Sequence, residues 1–134
     1  MAGELERLLA GTRVRLRPGG YVFTTVPDRA SLPEGVRPVV TVAEDEALTV
    51  VCPREEADAA GLPHDDALAW ITLEAPVGAQ AVALVAAVAA ALTGAGLPCD
   101  VVSGFHHDHV FVPEEAGERA VAVLRALLGS EGGC

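Results

Sequence analysis

The apolar and polar positions divide the chain into short elements, clearest in its second half. Residues 1–11 suit one short helix with Leu5, Leu8 and Leu9 on one face. Arg13 to Arg17, RVRLR, alternates basic and apolar residues, and a period of two predicts a strand. Tyr21 to Val26, YVFTTV, is rich in β-branched and aromatic residues and bounded by Gly20 and Pro27, so a second strand is predicted. PDRASLPEGVRP reads as a loop leading to a weaker strand at Val39–Val42. Leu48 to Cys52, LTVVC, is the next strand. Pro53 then opens a short helix. Proline suits the first turn, Glu55 and Glu56 suit the positive end of the helix dipole, and Gly61 ends it.

In the second half Trp70–Leu73 is a strand, and Gly78–Thr93 is a helix so apolar all round that burial is expected. Gly94-Ala95-Gly96 stops it. Cys99–Ser103 and His109–Val112 are strands too close together for a helix between them, so Gly104–Asp108 is the hairpin connection. Pro113 starts the last helix, with Ala120, Val121, Leu124, Leu127 and Leu128 on one face and Gly129 as its cap. Residues 68–129 therefore read β-α-β-β-α, a ferredoxin-like unit lacking its last strand. A strand from the first half must complete that sheet or lie beside it, and Tyr21–Val26 is the candidate. The first half also echoes the second. VVCPREEA (Val50 to Ala57) matches VFVPEEA (Val110 to Ala116): a strand, a proline, then an acidic helical turn. This weak repeat predicts two related halves, residues 1–66 and 67–134, packed as one compact domain with helices on one face of an antiparallel sheet.

Composition narrows the function. The chain is 51% apolar with only 4% aromatic residues, so the core is built from Val, Leu and Ala. A net charge of −10 repels phosphate backbones and anionic membranes, so neither nucleic acid nor a membrane is an expected partner. Cys52, Cys99 and Cys134 show no paired spacing, which argues against a disulfide framework. The first twenty residues lack the apolar stretch of a signal peptide. The longest apolar run, Ala81–Leu92, is shorter than the roughly 20 residues that span a bilayer. A soluble, cytoplasmic protein is expected.

The candidate chemistry gathers in GFHHDHVFVP, residues 104–113, which holds three of the four histidines. Residues of a strand alternate faces, so His107 and His109 share one direction and His106 and Asp108 the other. At most two of the four converge on one ion, whereas zinc takes three or four ligands. His64 and the cysteines add no ligand spacing. Pairs such as Cys99 with His106, or Ser103 with His107, suggest a nucleophile and base, but no nucleophile elbow or phosphate loop supports them. No catalytic residue, metal or cofactor is expected. The simplest reading is a polar turn whose backbone Asp108 hydrogen-bonds.

Three stretches say more together: EDEALTVVCP, AWITLEAPV and AGLPCDVVSGFHHDHVFVPEEAGERAVAVLRAL. They resemble the small bacterial ACT-domain proteins, a family long listed as of unknown function. There an acidic EDE leads into an LT-V-V strand, a W-I-T-L strand precedes a helix, and an aromatic, HDH and -FVP precede the final helix. The resemblance covers about residues 15–129. The chain departs from it at Phe105-His106-His107, where members often carry tyrosines.

The resemblance implies an α+β, ferredoxin-like ACT fold in two ACT-like halves. It implies a non-catalytic small-molecule sensor, typically for an amino acid, with the ligand at the seam between ACT halves or subunits. On this chain the site comprises the loop Glu74–Gln80 with Val77 and Gly78, faced by Ser103, Gly104, Phe105 and Asp108. Gly78 permits close backbone approach, and the helix amides beyond it suit a carboxylate. Asp108 suits an ammonium or guanidinium group, and Glu44, Asp45 and Glu46 add negative charge. A homodimer is expected, and any regulated partner is a separate chain. The competing readings are an assembly module without ligand and a metal-dependent enzyme centred on the histidines.

Overall fold

The computed structural model describes residues 4–76 and 81–129. Helix α1 (Glu4–Ala10) leads into β1 (Arg13–Val26) and, after a loop holding a 3-10 turn at Arg29–Ser31, into β2 (Val40–Ala43), β3 (Leu48–Pro53) and α2 (Arg54–Ala59). There follow β4 (Leu68–Glu74), α3 (Ala81–Gly94), β5 (Asp100–Ser103), β6 (Asp108–Pro113), a 3-10 turn (Glu114–Ala116) and α4 (Gly117–Leu128). The strands run in the order β2-β3-β1-β4-β6-β5. This is the antiparallel ferredoxin-like α+β architecture that the alternation of elements predicts.

The chain forms two units, residues 19–68 and residues 1–18 with 69–134, and their boundary falls inside β1. Pro18-Gly19-Gly20 looks like a break between two strands, yet RVRLR and YVFTTV are one continuous strand. Proline and glycine cost ladder bonds and order but do not forbid extended backbone. Gly19 takes a positive φ of 95°, and beyond it Tyr21–Val26 pairs with β3, from Tyr21↔Pro53 to Val26↔Leu48. The part of β1 that belongs with residues 69–134 is therefore Arg13–Pro18, not Tyr21–Val26.

In the larger unit, alternation along β4 and β6 sorts the side chains by face. Ile71, Leu73, Val110 and Val112 are buried together with Leu84, Val88 and Leu92 of α3 and Leu124 of α4. The opposite alternation carries Trp70, Thr72, His109 and Phe111. Leu9 of α1 joins the helical side of this core. The side chains of Leu5 and Leu8, and the helix start predicted at Gly78, lie outside the described residues. The α4 stripe is as its spacing predicts, with Ala120, Val121, Leu124 and Leu128 buried and Leu127 packed at the margin. Gly117 lets α4 close on β4: a Cβ there would stand 2.9 Å from the Ala69 Cβ.

In the smaller unit the core is Val22, Val26, Val36, Leu48, Val50, Cys52 and Ala57, with Ala67. Cys52 is a free, buried thiol. Burial, then the nearby Glu56 carboxylate, pushes its pKa up. It is thus held as an inert thiol rather than a thiolate.

The echo read from VVCP and VFVP is a repeat of structure. In one hairpin Val40 pairs with Val51 and Ala43 with Leu48; in the other Asp100 pairs with Phe111 and Ser103 with Asp108. Each turn is closed by one backbone bond, Glu44 N–H to Ala47 O at 3.0 Å and Gly104 N–H to His107 O at 2.8 Å. Both second strands end on a proline, Pro53 or Pro113, before a helical segment, and both bury their first, third, fourth and fifth residues. Among the described residues no helix is long and apolar enough to cross a membrane.

Candidate functional site

The second hairpin turn is one residue shorter than its sequence suggests. Residues 104–107 form it, and Asp108 is the first residue of β6, paired with Ser103 across the ladder. Asp108 is 6% exposed. The equivalent position in the other hairpin is Leu48, an ordinary core residue. A carboxylate thus occupies a site that the fold elsewhere fills with leucine. Ser103 and Gly104 are exposed beside it, and Phe105 projects from the turn with 99% of its surface open. The Phe105 ring meets His106 edge-on at 5.1 Å, and His107 follows at 6.4 Å from His106. Gly104 is required by close approach, because a Cβ there would lie 2.9 Å from the His107 carbonyl oxygen. Gly104→Ala is expected to lower unfolding stability by about 1–2 kcal/mol. A urea midpoint equal to that of the parent protein would show that the turn has room to spare.

The other predicted site residues fall elsewhere. Glu44, Asp45 and Glu46 lie on the β2–β3 turn, in the smaller unit. The Glu44 carboxylate accepts a hydrogen bond from the Thr49 hydroxyl of the same hairpin. Val77 and Gly78 are outside the described residues. The structure therefore gathers Ser103, Gly104, Phe105 and Asp108 at one hairpin, and the acidic trio at another.

Behind the turn lies a polar cluster that the sequence reading missed. Trp70 Nε1 donates to His109 Nδ1 at 3.0 Å, and the Thr72 hydroxyl lies 3.2 Å from the same nitrogen. Arg17 donates to Thr72 Oγ1 at 3.1 Å, while its guanidinium sits 4.0 Å above the Trp70 ring. Trp70 stacks on Phe111 at 6.3 Å and 17°. An indole N–H only donates, so His109 Nδ1 must offer its lone pair and the ring proton resides on Nε2. Thr72 accepts from Arg17 and so directs its own proton at His109. Burial, then His107 and Arg17, pull the His109 pKa below the ordinary histidine value, and Asp108 opposes them. The alternation of RVRLR and WITL places each of these residues on a definite side of its strand. Only the pairing of the strands brings them together.

The comparisons with known proteins decide the family. Two ACT-domain matches cover the chain, one over residues 2–69 and one over residues 64–126. The chain belongs to the ACT-domain family. A solved Vibrio cholerae protein of unknown function is 36% identical, with a TM-score of 0.83, covering 92% of this chain and 95% of its own. An Agrobacterium tumefaciens protein is 20% identical, with a TM-score of 0.70 and coverages of 87% and 88%. The regulatory subunit of aspartate kinase from Thermus thermophilus, in its ligand-free form, shares the fold at 13% identity, with a TM-score of 0.58 and coverages of 88% and 98%. No curated protein matches. ACT domains are regulatory, ligand-binding units rather than catalytic ones.

Within this ACT-domain protein the fourth histidine serves a different purpose. His64 Nε2 lies 2.6 Å from Asp58 Oδ1 and its Nδ1 lies 2.6 Å from the Asp65 carbonyl oxygen. Both ring nitrogens face acceptors, so the imidazolium is favoured. The Asp65 backbone bond, then the Asp58 bond, raise the His64 pKa. Stability from a raised histidine is fully present below its unfolded value near 6.5 and is lost as the pH rises through the folded value. Asp58→Asn is accordingly expected to lower the melting temperature at pH 6 and to change little at pH 9. Asp58 is well exposed, so the effect stays under about 1 kcal/mol. Equal losses at both pH values would show that the pair does not titrate. Among the described residues no three His, Cys, Asp or Glu side chains gather to hold a metal ion.

Proposed function

We propose that this ACT-domain protein is a non-catalytic regulator that binds an amino acid at the β5–β6 hairpin end of its larger unit. The observation that carries the reading is Asp108, a carboxylate buried at the start of β6 where the equivalent hairpin buries Leu48. A carboxylate set among core residues beside an exposed turn is placed to meet a group of opposite charge that also donates hydrogen bonds. An amino-acid ammonium group is both. Ser103 and Gly104 offer polar groups beside it, and Phe105 an apolar wall. Val77 and Gly78, which precede α3 in the sequence, complete the proposed site as partners for the ligand carboxylate. The net charge of −10 favours a neutral or cationic amino acid over an acidic one.

The protein acts in the cytoplasm as a homodimer. Dimerisation is supported by the sheet order, which leaves β2 and β5 as the two edge strands. Unpaired edges invite pairing with another copy.

A thermal-shift screen of metal-free protein against the twenty L-amino acids, with D-enantiomers and zinc as controls, tests the reading. One or a few L-amino acids should raise the melting temperature, by an amount equivalent to about 2.7 kcal/mol at a hundred times the dissociation constant. A response to zinc alone would favour metal chemistry at the histidines. A stable dimer indifferent to all of them would favour an assembly module.

A further inference from the structure

His64 and His109 are mirror cases in chemistry. His64 faces two acceptors, whereas His109 Nδ1 receives two donors. A doubly protonated His109 would set an N–H against the Trp70 indole N–H, which cannot turn itself into an acceptor. Thr72 can meet that N–H only by turning its hydroxyl to use its second lone pair, the first receiving Arg17. The ring therefore cannot carry both protons and keep the Trp70 bond. Its far edge faces the hairpin turn: Nε2 and Cδ2 lie 3.5 and 3.6 Å from the point where a Gly104 Cβ would stand. Any displacement of the ring is therefore felt at Gly104, the residue that closes the turn and borders Ser103 and Asp108.

The groups around the ring mostly oppose a second proton. From β1 comes the Arg17 cation, and from the turn His107; β4 contributes Trp70 and Thr72, which do not titrate; β5 contributes Val102, the register partner of His109. The single group that favours a charged ring is the neighbouring Asp108 on β6 itself.

We propose that His109 is a proton-operated latch on the β5–β6 turn. Neutral, it accepts from Trp70 and Thr72 and backs the turn at Gly104. Protonated, it breaks the Trp70 bond and loosens the turn, which weakens whatever the turn binds. For its effect on ligand the latch rests on the amino-acid reading above; the latch itself is a property of the chain alone. Its sign follows from the depressed histidine. The latch is closed and stabilising above the ordinary histidine range, and opens as the pH falls through the lowered value.

Trp70 is the only tryptophan of the chain, so its indole N–H gives a single proton–nitrogen resonance. We would follow that resonance and the Gly104 amide in the full chain from pH 8 to pH 4.5. Both should titrate together, with a midpoint below the usual histidine value. In His109→Asn the amide oxygen can take the place of Nδ1 as acceptor and cannot gain a proton, so both resonances should stay still. His107→Gln, on the exposed turn, removes a neighbouring cation and should move the midpoint up. An indole resonance that is static in the parent chain would overturn the latch. So would a Gly104 titration that persists unchanged in His109→Asn, since it would then belong to His106 or His107.

The L-amino-acid panel, repeated by thermal shift at pH 7.5 and pH 5, tests the consequence. An amino acid that binds at pH 7.5 should bind more weakly at pH 5 to the extent that the Trp70 resonance has titrated there, and this loss should vanish in His109→Asn. Equal affinity at both pH values in the parent chain would refute the coupling to ligand. A panel with no response at pH 7.5 would defeat the amino-acid reading, while the two resonances still decide the latch.

Discussion

Asp108→Leu is expected to give a protein that melts higher and no longer responds to any amino acid. The leucine restores at β6 the residue that β3 carries at its equivalent position, Leu48, which is 4% exposed. Removing a buried carboxylate and adding buried apolar surface should stabilise the fold by about 1–2 kcal/mol. For a chain of this size that corresponds to a rise of roughly 3–8 °C. The same change deletes the group that would receive the ligand ammonium, so the thermal shift with amino acids should disappear. Such an exchange of stability for function is common where a site breaks the rules of a core. Differential scanning calorimetry, with and without the responsive amino acid, reads both effects at once. A variant that melts several degrees lower would show instead that the carboxylate holds the fold together, and the site would have to be sought elsewhere.

Phe111→Ala is expected to cost about 3–5 kcal/mol. Phe111 is wholly buried and stacks on Trp70, in a chain with only three phenylalanines, one tyrosine and one tryptophan. Urea unfolding should show a lower midpoint at an unchanged slope, and Trp70 emission should shift to the red as its stacking face opens. Phe111→Leu keeps much of the volume and should lose less than half as much. A cost under 1 kcal/mol for the alanine would mean that the ring contributes little beyond filling space. Phe105→Ala is the natural control. That ring is 99% exposed, and its removal should leave stability within about 0.5 kcal/mol.

Much of this fold is legible in the sequence because periodicity and punctuation agree. Pro53 and Pro113 both end a strand and open a helical turn, as their acidic followers suggest. The α4 stripe and its Gly129 stop follow directly from spacing. Two features escaped for physical reasons. Pro18-Gly19-Gly20 reads as punctuation, yet the backbone stays extended through it as β1 passes from one unit to the other. The Arg17–Thr72–His109–Trp70 cluster joins residues from three strands, and its register depends on long-range pairing that local patterns do not encode. Asp108 was readable as a special residue but not as a buried one. Its burial follows from a turn one residue tighter than the run of polar side chains implies.

The matching hairpins have a practical consequence. Residues 40–53 and 100–113 have the same length, pairing and turn closure, so they are interchangeable parts in the engineer's sense. Grafting one in place of the other changes neither chain length nor strand register, only the side chains presented. The side chains of residues 100–113, on which the proposed site draws, can then be varied as a cassette, in libraries built on those positions while the rest of the chain is held constant.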